Sequence, residues 1–265
     1  MKLSNKQIKH YQDNGYLILR NAIKKNEIDI IIKRLTYLTK SQKDGRGLSE
    51  PGITKSLVHS LHLDKELKKI IENKPWFQNV VKKLLNCNEV YVWNAKSNLK
   101  LRWNGSVEYY HQDYIYWRGF GFSSSNMVNC MIFIDNHNHG NGGLWIFPKS
   151  HNKMLRHEKF LNINSLQKFF IPPSILDKIN KKNPVKSITE KSGSCIFFHS
   201  KLIHGSSHNI SPKNRRILLY DVSSTENLKS IKKKGKLSLM KSFNRNKRIK
   251  FELKELKKRI NNLKI

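Results

Sequence analysis

The chain has 265 residues, 38% of them hydrophobic and 10% aromatic, enough for one large domain with a sizeable core. It has no apolar run long enough to cross a bilayer, and Met1-Lys2-Leu3-Ser4-Asn5-Lys6 lacks the apolar centre of a signal peptide. The formal net charge of +32 invites a nucleic-acid partner, but the lysine excess runs the whole length and forms no patch. Residues 226–265 hold 15 Lys+Arg against 3 acids, and the remainder is still strongly basic. This pattern reads as a composition bias on solvated faces, with attraction to polyanions at low salt as a physical expectation. Cys87, Cys130 and Cys195 are odd in number and far apart, so they read as reduced core thiols of a cytoplasmic protein.

In chain order, Ser4-x-x-Gln7 is a capping box opening a short helix that Asn14-Gly15 ends. Tyr16 to Leu19 is a strand, and Asn26 caps a helix to about Leu38 with Ile28, Ile31, Ile32, Leu35 and Leu38 on one side. Residues 41–52, with two glycines and mixed charges, read as a loop. Leu63 to Leu85 reads as two helical pieces broken at Pro75, with Trp76 and Phe77 in the core. From Glu89 the period changes to short β segments: Val90 to Trp93, Tyr109 to Trp117, Met127 to Asp135, Leu144 to Pro148, Gly193 to His199 and Arg216 to Val222. Residues 152–191 form an insertion of mixed helix and loop, and Leu253, Leu256, Ile260 and Leu263 give the tail a helical stripe. The expected architecture is mainly β: a jelly roll, or cupin-like double-stranded β-helix, flanked by helices. It is organised as a single domain, with a helical layer to about residue 88, the β core to about 225 and a basic tail.

The chemistry is carried by Tyr109-Tyr110-His111-Gln112-Asp113-Tyr114-Ile115-Tyr116-Trp117. In a strand, His111 and Asp113 share one face while Gln112 points away. One imidazole and one carboxylate on one face make two thirds of a 2-His-1-carboxylate iron site. The second histidine is His204, which closes an apolar strand before a Gly/Ser/Asn/Pro turn. Arg215 opens the next strand, and a hairpin would bring it back toward His204. An arginine there clamps a carboxylate with two parallel hydrogen bonds. Three protein ligands leave three iron positions, two for a chelating 2-oxo acid and one for oxygen. Alternation lets only one of Arg215 and Arg216 face inward; spacing favours Arg215, with Arg216 solvated. His137-Asn138-His139, in a polar turn, reads as surface loop. His199 reads as a packing residue and His208 as solvent-facing.

These pieces resemble the phytanoyl-CoA dioxygenase family of iron(II)- and 2-oxoglutarate-dependent oxygenases. The likeness rests on Tyr11-Gln12-Asp13-Asn14-Gly15, His111-Gln112-Asp113, Asn141-Gly142-Gly143-Leu144, Pro148-Lys149-Ser150-His151, His204-Gly205-Ser206-x-x-Asn209 and Arg215 in that order. The resemblance implies that His111, Asp113 and His204 bind iron(II), that Arg215 and Asn98 hold 2-oxoglutarate, and that O2 is the oxidant. Within the family the chain is similar to the ectoine hydroxylase branch, in which Trp117 matches a substrate-pocket tryptophan. Asn94 stands where that branch has a substrate-binding glutamine, and Leu219 and Glu108 stand where it has aromatics that help enclose a cation. The implied activity is hydroxylation of a small molecule, an ectoine- or amino-acid-like zwitterion. Acyl-CoA or another metabolite is the second substrate class, and residues 41–52 and 152–191 are the lid candidates. A non-catalytic metal-binding cupin is the rival from another class. Asp113 favours hydroxylation over halogenation, which would need a small residue there.

Overall fold

The structure, a computed structural model, describes residues 2–40, 47–50, 53–58, 61–105, 107–159 and 169–227. The expected C-terminal helix and part of the 41–52 loop lie outside these residues, but Gly47–Glu50 is a strand rather than loop. Helix α1 (Asn5–Asn14) has the capping box at Ser4 and Gln7, and Gly15 ends it with φ 80°, a conformation that suits glycine. Strand β1 (Tyr16–Leu19) follows. Helix α2 (Lys25–Lys40) begins just before Asn26, and the Glu27 carboxylate accepts from the Lys24 N–H at 3.1 Å. Strands β2 (Gly47–Glu50) and β3 (Ile53–Val58) form a hairpin. Helices α3 (Lys65–Ile70) and α4 (Pro75–Leu85) are the two expected pieces, and Pro75 occupies the first turn of α4, where its missing N–H costs nothing.

The β core comprises β4 (Val90–Lys100), β5 (Glu108–His111), β6 (Met127–Phe133), β7 (Leu144–Phe147), β8 (Glu158–Lys159), β9 (Phe169–Phe170), β10 (Lys186–Ser187), β11 (Cys195–His199), β12 (Ile203–Ser206) and β13 (Arg215–Ser224). Between them fall the short helices α5 (Tyr114–Trp117) and α6 (Pro173–Lys182). A seven-stranded sheet runs β1-β11-β6-β13-β4-β3-β2 and a four-stranded sheet runs β10-β7-β12-β5. Both are antiparallel throughout, and together they make the two layers of a jelly roll. The insertion contains α6 and three short strands, β8, β9 and β10.

Strand β6, inside the large sheet, is covered on both faces, which is why it shows no polar alternation and every residue is buried. Cys130, Ile132, Phe197, Leu218 and Tyr220 pack outward under the helices with Ile31, Leu67, Phe77 and Val81. Burying a side chain such as Phe77 contributes about 1.5–3 kcal/mol. Trp76 is partly buried against the same core. Met131, Phe133, Ile196, Phe198, Ile217 and Leu219 point the other way and meet Leu144, Ile146 and Leu202 across the sandwich. At the bulge between Asp221 and Val222, Asn94 and Val92 are the partners, so Trp93 is the extra residue of β4. Beyond the bulge, Lys96, Asn98 and Lys100 alternate onto one face. No helix among the described residues is long and apolar enough to cross a membrane.

Candidate active site

Strand β5 ends at His111, not at Trp117 as the aromatic run suggested. Asp113 has helical dihedrals (φ −60°, ψ −31°) and leads into α5. The Tyr116 N–H donates to the Asp113 carbonyl at 2.9 Å, so a helical turn takes the hydrogen bonds a sheet would have taken. His111 and Asp113 therefore meet through a turn and not through strand alternation. His111 Nε2 stands 3.4 Å from Asp113 Oδ1, and His204 Nε2 stands 3.5 Å from Asp113 Oδ2. All three side chains are buried, and one ligand atom from each lies within 4.8 Å of the others, a group that could hold a metal ion.

His204 is the second residue of β12, in the small sheet. It does not end the Cys195–His199 strand, which belongs to the large one. It sits directly opposite His111 on the neighbouring strand, with ring centroids 4.4 Å apart. Gly205 allows this pairing, because a Cβ there would lie 2.8 Å from the Glu108 carbonyl oxygen. Each ring is fixed through its other nitrogen. His111 Nδ1 is 2.8 Å from the Tyr109 carbonyl and His204 Nδ1 is 3.0 Å from that of Leu202. A carbonyl can only accept, so both Nδ1 atoms carry a proton and both Nε2 atoms face Asp113. Asn129 Nδ2 donates to Asp113 Oδ2 at 2.6 Å. Burial would raise the Asp113 carboxyl, but His204, His111 and Lys96 outweigh it and hold it below the usual carboxylate range. Burial pushes His204 down to about 4, against the pull of Asp113, so the imidazole is neutral at ordinary pH. Two histidine imidazoles and one carboxylate are the donor set that iron(II) takes in facial-triad sites.

Gln112 points away, as strand alternation anticipated, and is fully buried. Its N–H donates to His157 Nε2 (3.1 Å), its Nε2 to the Lys153 (2.9 Å) and Lys201 (2.6 Å) carbonyls, and its Oε1 accepts from the Leu155 N–H (2.8 Å). The middle residue of the His-x-Asp turn thus ties it to the start of the insertion.

A cavity of about 90 Å³ opens onto the three ligands and is lined also by Lys96, Asn98, Glu108, His137, Ser206 and Arg215. Arg215 is 2% exposed, and its Nε has no partner among the described residues. Burial lowers its guanidinium to about 9, against Asp135, so it stays charged at neutral pH. Arg216 points outward, but it is not merely solvated: it forms a forked pair with Asp135 at 2.9 and 2.6 Å. The expected His204–Arg215 hairpin does not form, since β12 and β13 lie in different sheets. The two residues share a cavity because the sheets face each other. Asn98 lines that cavity too, and its buried Oδ1 has no partner among the described residues. The unpartnered buried guanidinium nitrogen of Arg215 fits a ligand carrying a carboxylate, whereas the Asn98 oxygen, an acceptor, fits a donor.

Other sequence assignments divide. Trp117 is buried in an aromatic cluster with Trp93 (centroids 5.7 Å), Phe122 and Met127. Asn94 Nδ2 donates to the buried Asp221 at 2.8 Å. Both stand outside the cavity lining. His137 is no surface residue: it is 1% exposed, stacks on Phe133 at 4.4 Å and accepts the Leu144 N–H at 2.7 Å. Burial, with Arg215 and Lys100 nearby, holds it well below the ordinary histidine range. His199 packs on His151 (5.4 Å) and His208 is exposed, as expected. Asn129, Ser206 and Lys100 were not picked out from sequence. Asn129 had a signal, as the only polar residue in Met127–Phe133.

A profile of the family described as Phytanoyl-CoA dioxygenase (PhyH) matches residues 11–217, and the chain belongs to that family. Among curated relatives, it is 26% identical over 239 residues to an ectoine dioxygenase of Bordetella parapertussis, covering 85% of this chain and 77% of the relative. It is 24% identical over 221 residues to an L-proline trans-4-hydroxylase of Streptomyces griseoviridis, covering 79% and 82%. Among solved structures, it is similar in fold to EctD from S. alaskensis with 2-oxoglutarate and 5-hydroxyectoine (TM-score 0.75, 20% identity, 85% of this chain and 77% of that one). It is similar also to the non-heme alpha ketoglutarate dependent epimerase SnoN (TM-score 0.63, 14% identity, 83% and 81%). The fold is the jelly roll that the hydrophobic pattern implied.

Proposed function

We propose that the chain is an iron(II)- and 2-oxoglutarate-dependent dioxygenase that hydroxylates a C–H bond of a small, amino-acid-like zwitterion. The observation that carries this reading is the convergence of His111, Asp113 and His204 over a cavity that holds the unpartnered guanidinium nitrogen of Arg215. His111 Nε2, Asp113 and His204 Nε2 would hold the iron. When bound, iron(II) supplies a coupled oxidation, in which one atom of O2 enters succinate, the other becomes the product hydroxyl, and carbon dioxide leaves.

The chain's own residues set up that reaction. The Tyr109 and Leu202 carbonyls fix the tautomer of each imidazole. Asn129 fixes the carboxylate. Arg215 binds the far carboxylate of the 2-oxo acid, and Asn98 contributes an amide to the same cavity. The aromatic cluster around Trp93 and Trp117 gives the neighbouring region a dry wall.

The zwitterion assignment rests on two cavity residues, Lys96 and Glu108, which add one charge of each sign to the lining. It rests also on relatives whose named substrates are ectoine and L-proline. Trp117 and Asn94 are kept as candidate substrate-side residues, with residues 41–52 and 152–191 as the lid candidates. Residues 1–265 are read as a single domain, because helices and sheet share one core.

The test is a panel of amino acids, cyclic amino acids including ectoine, and acyl thioesters, incubated with the iron-loaded enzyme and 2-oxoglutarate. A zwitterion should raise succinate formation above the uncoupled background and give a hydroxylated product of mass +16. Stimulation by acyl thioesters alone would transfer the assignment to the second substrate class. Absence of iron-dependent succinate under every condition would leave the metal-binding cupin.

A further inference from the structure

Lys100 is 0% exposed, although lysine normally carries its ammonium to water along a flexible stem. It stands directly opposite Arg215 in the β4–β13 register, so two cations share one face at adjacent positions. Like charges placed directly opposite destabilise a sheet. The surrounding chain is nevertheless shaped around this lysine. A Cβ at Gly105 would lie 2.6 Å from Lys100 Cβ, and a Cβ at Gly142 would lie 2.6 Å from Lys100 Cδ. The stem runs between two glycines, and only glycine leaves room for it. At its end Nζ donates to Ser206 Oγ at 2.7 Å and to the Ser207 carbonyl.

We propose that Lys100 is a positioning residue for the far carboxylate of the 2-oxo acid, acting through the Ser206 hydroxyl. An ammonium has donors and no acceptor, so in the Lys100–Ser206 hydrogen bond the serine oxygen must accept. Its own hydrogen is then directed elsewhere, and Ser206 lines the cavity with Arg215. Among the described residues the Ser206 hydroxyl makes no other hydrogen bond, and Arg215 Nε makes none. A carboxylate accepts from both donors, the Ser206 hydroxyl and Arg215 Nε. His137 is neutral and adds no third cation. The pair therefore selects a dicarboxylate such as 2-oxoglutarate over a 2-oxo acid with an apolar tail. This inference rests on the cosubstrate reading above.

The test compares calorimetric affinities of the iron-loaded, full-length protein, without oxygen, for 2-oxoglutarate and for 2-oxopentanoate, which lacks the far carboxylate. Wild type should prefer 2-oxoglutarate strongly. Lys100→Met should reduce that preference about tenfold, the size of one charge-assisted contact, while binding 2-oxopentanoate as before. Ser206→Ala should reduce it by a smaller factor, and the double variant should do little more than Lys100→Met alone, because the two groups act in series. The rise in melting temperature that 2-oxoglutarate produces should shrink in the same order. An unchanged preference in Lys100→Met, with both acids weakened alike, would make the lysine structural and overturn the proposal. Should Lys100→Met not fold, Ser206→Ala decides by the same ratio. A wild type without any preference would instead overturn the cosubstrate assignment itself.

Discussion

Two stretches of the β4–β13 ladder carry the same kind of inward-facing row but spend it differently. At one end Lys100 and Arg215 face each other, two buried cations, and Arg215 Nε has no hydrogen-bond partner among the described residues. Further along, just before the bulge, Asn94 and Asp221 face each other and Asn94 Nδ2 donates to Asp221 Oδ2 at 2.8 Å, next to Trp93 of the aromatic cluster. Between them lie Lys96 and Asn98, with the metal-ligand group across the cavity. A position whose polar atoms are already paired contributes shape, whereas one with surplus donors contributes recognition. In the proposed reaction the constant partner, a dicarboxylate, takes the cationic end. The variable partner, the organic substrate, takes the stretch near the aromatics.

Four substitutions sharpen or break this division. Asp113→Ala removes the only carboxylate of the ligand group and should abolish both metal retention and iron-dependent succinate formation; metal content by elemental analysis together with succinate release reports it, and undiminished turnover would sink the site. Arg215→Met should raise the KM for 2-oxoglutarate about 100-fold, the scale of a lost buried charge pair, with a much smaller change in kcat. Asn129→Ala leaves Asp113 unanchored and should weaken metal affinity by about 10–100-fold, as loss of a ligand's supporting hydrogen bond does; equilibrium titration of the metal gives the number. Lys96→Met should raise the KM of the organic substrate about tenfold while leaving that of 2-oxoglutarate in place. If Lys96→Met moved the 2-oxoglutarate value instead, the proposed division along the ladder would be wrong.

The proposed metal ligands were legible because each sits in a short, chemically loaded motif. The reason they were legible was partly mistaken, however. Strand alternation put His111 and Asp113 on one face, whereas a helical turn beginning at Asp113 does so. Side-chain type survives such an error; local geometry does not. His137 shows the reverse failure, since a polar Asn/Gly turn looks like surface until the β6–β7 crossing buries it against Phe133.

The sequence by itself determined the helices that cover the large sheet, the change to short β segments after Glu89 and the residues of the proposed ligand set. Those properties live in local periodicity and residue chemistry. Only the tertiary structure decided that His204 and Arg215 belong to different sheets, that Gln112 binds the insertion, and that Lys100 lies opposite Arg215 with its stem between two glycines. Each of these depends on register between strands far apart in the chain. Register is set by how two buried sheet faces pack, and no single stretch of sequence records it.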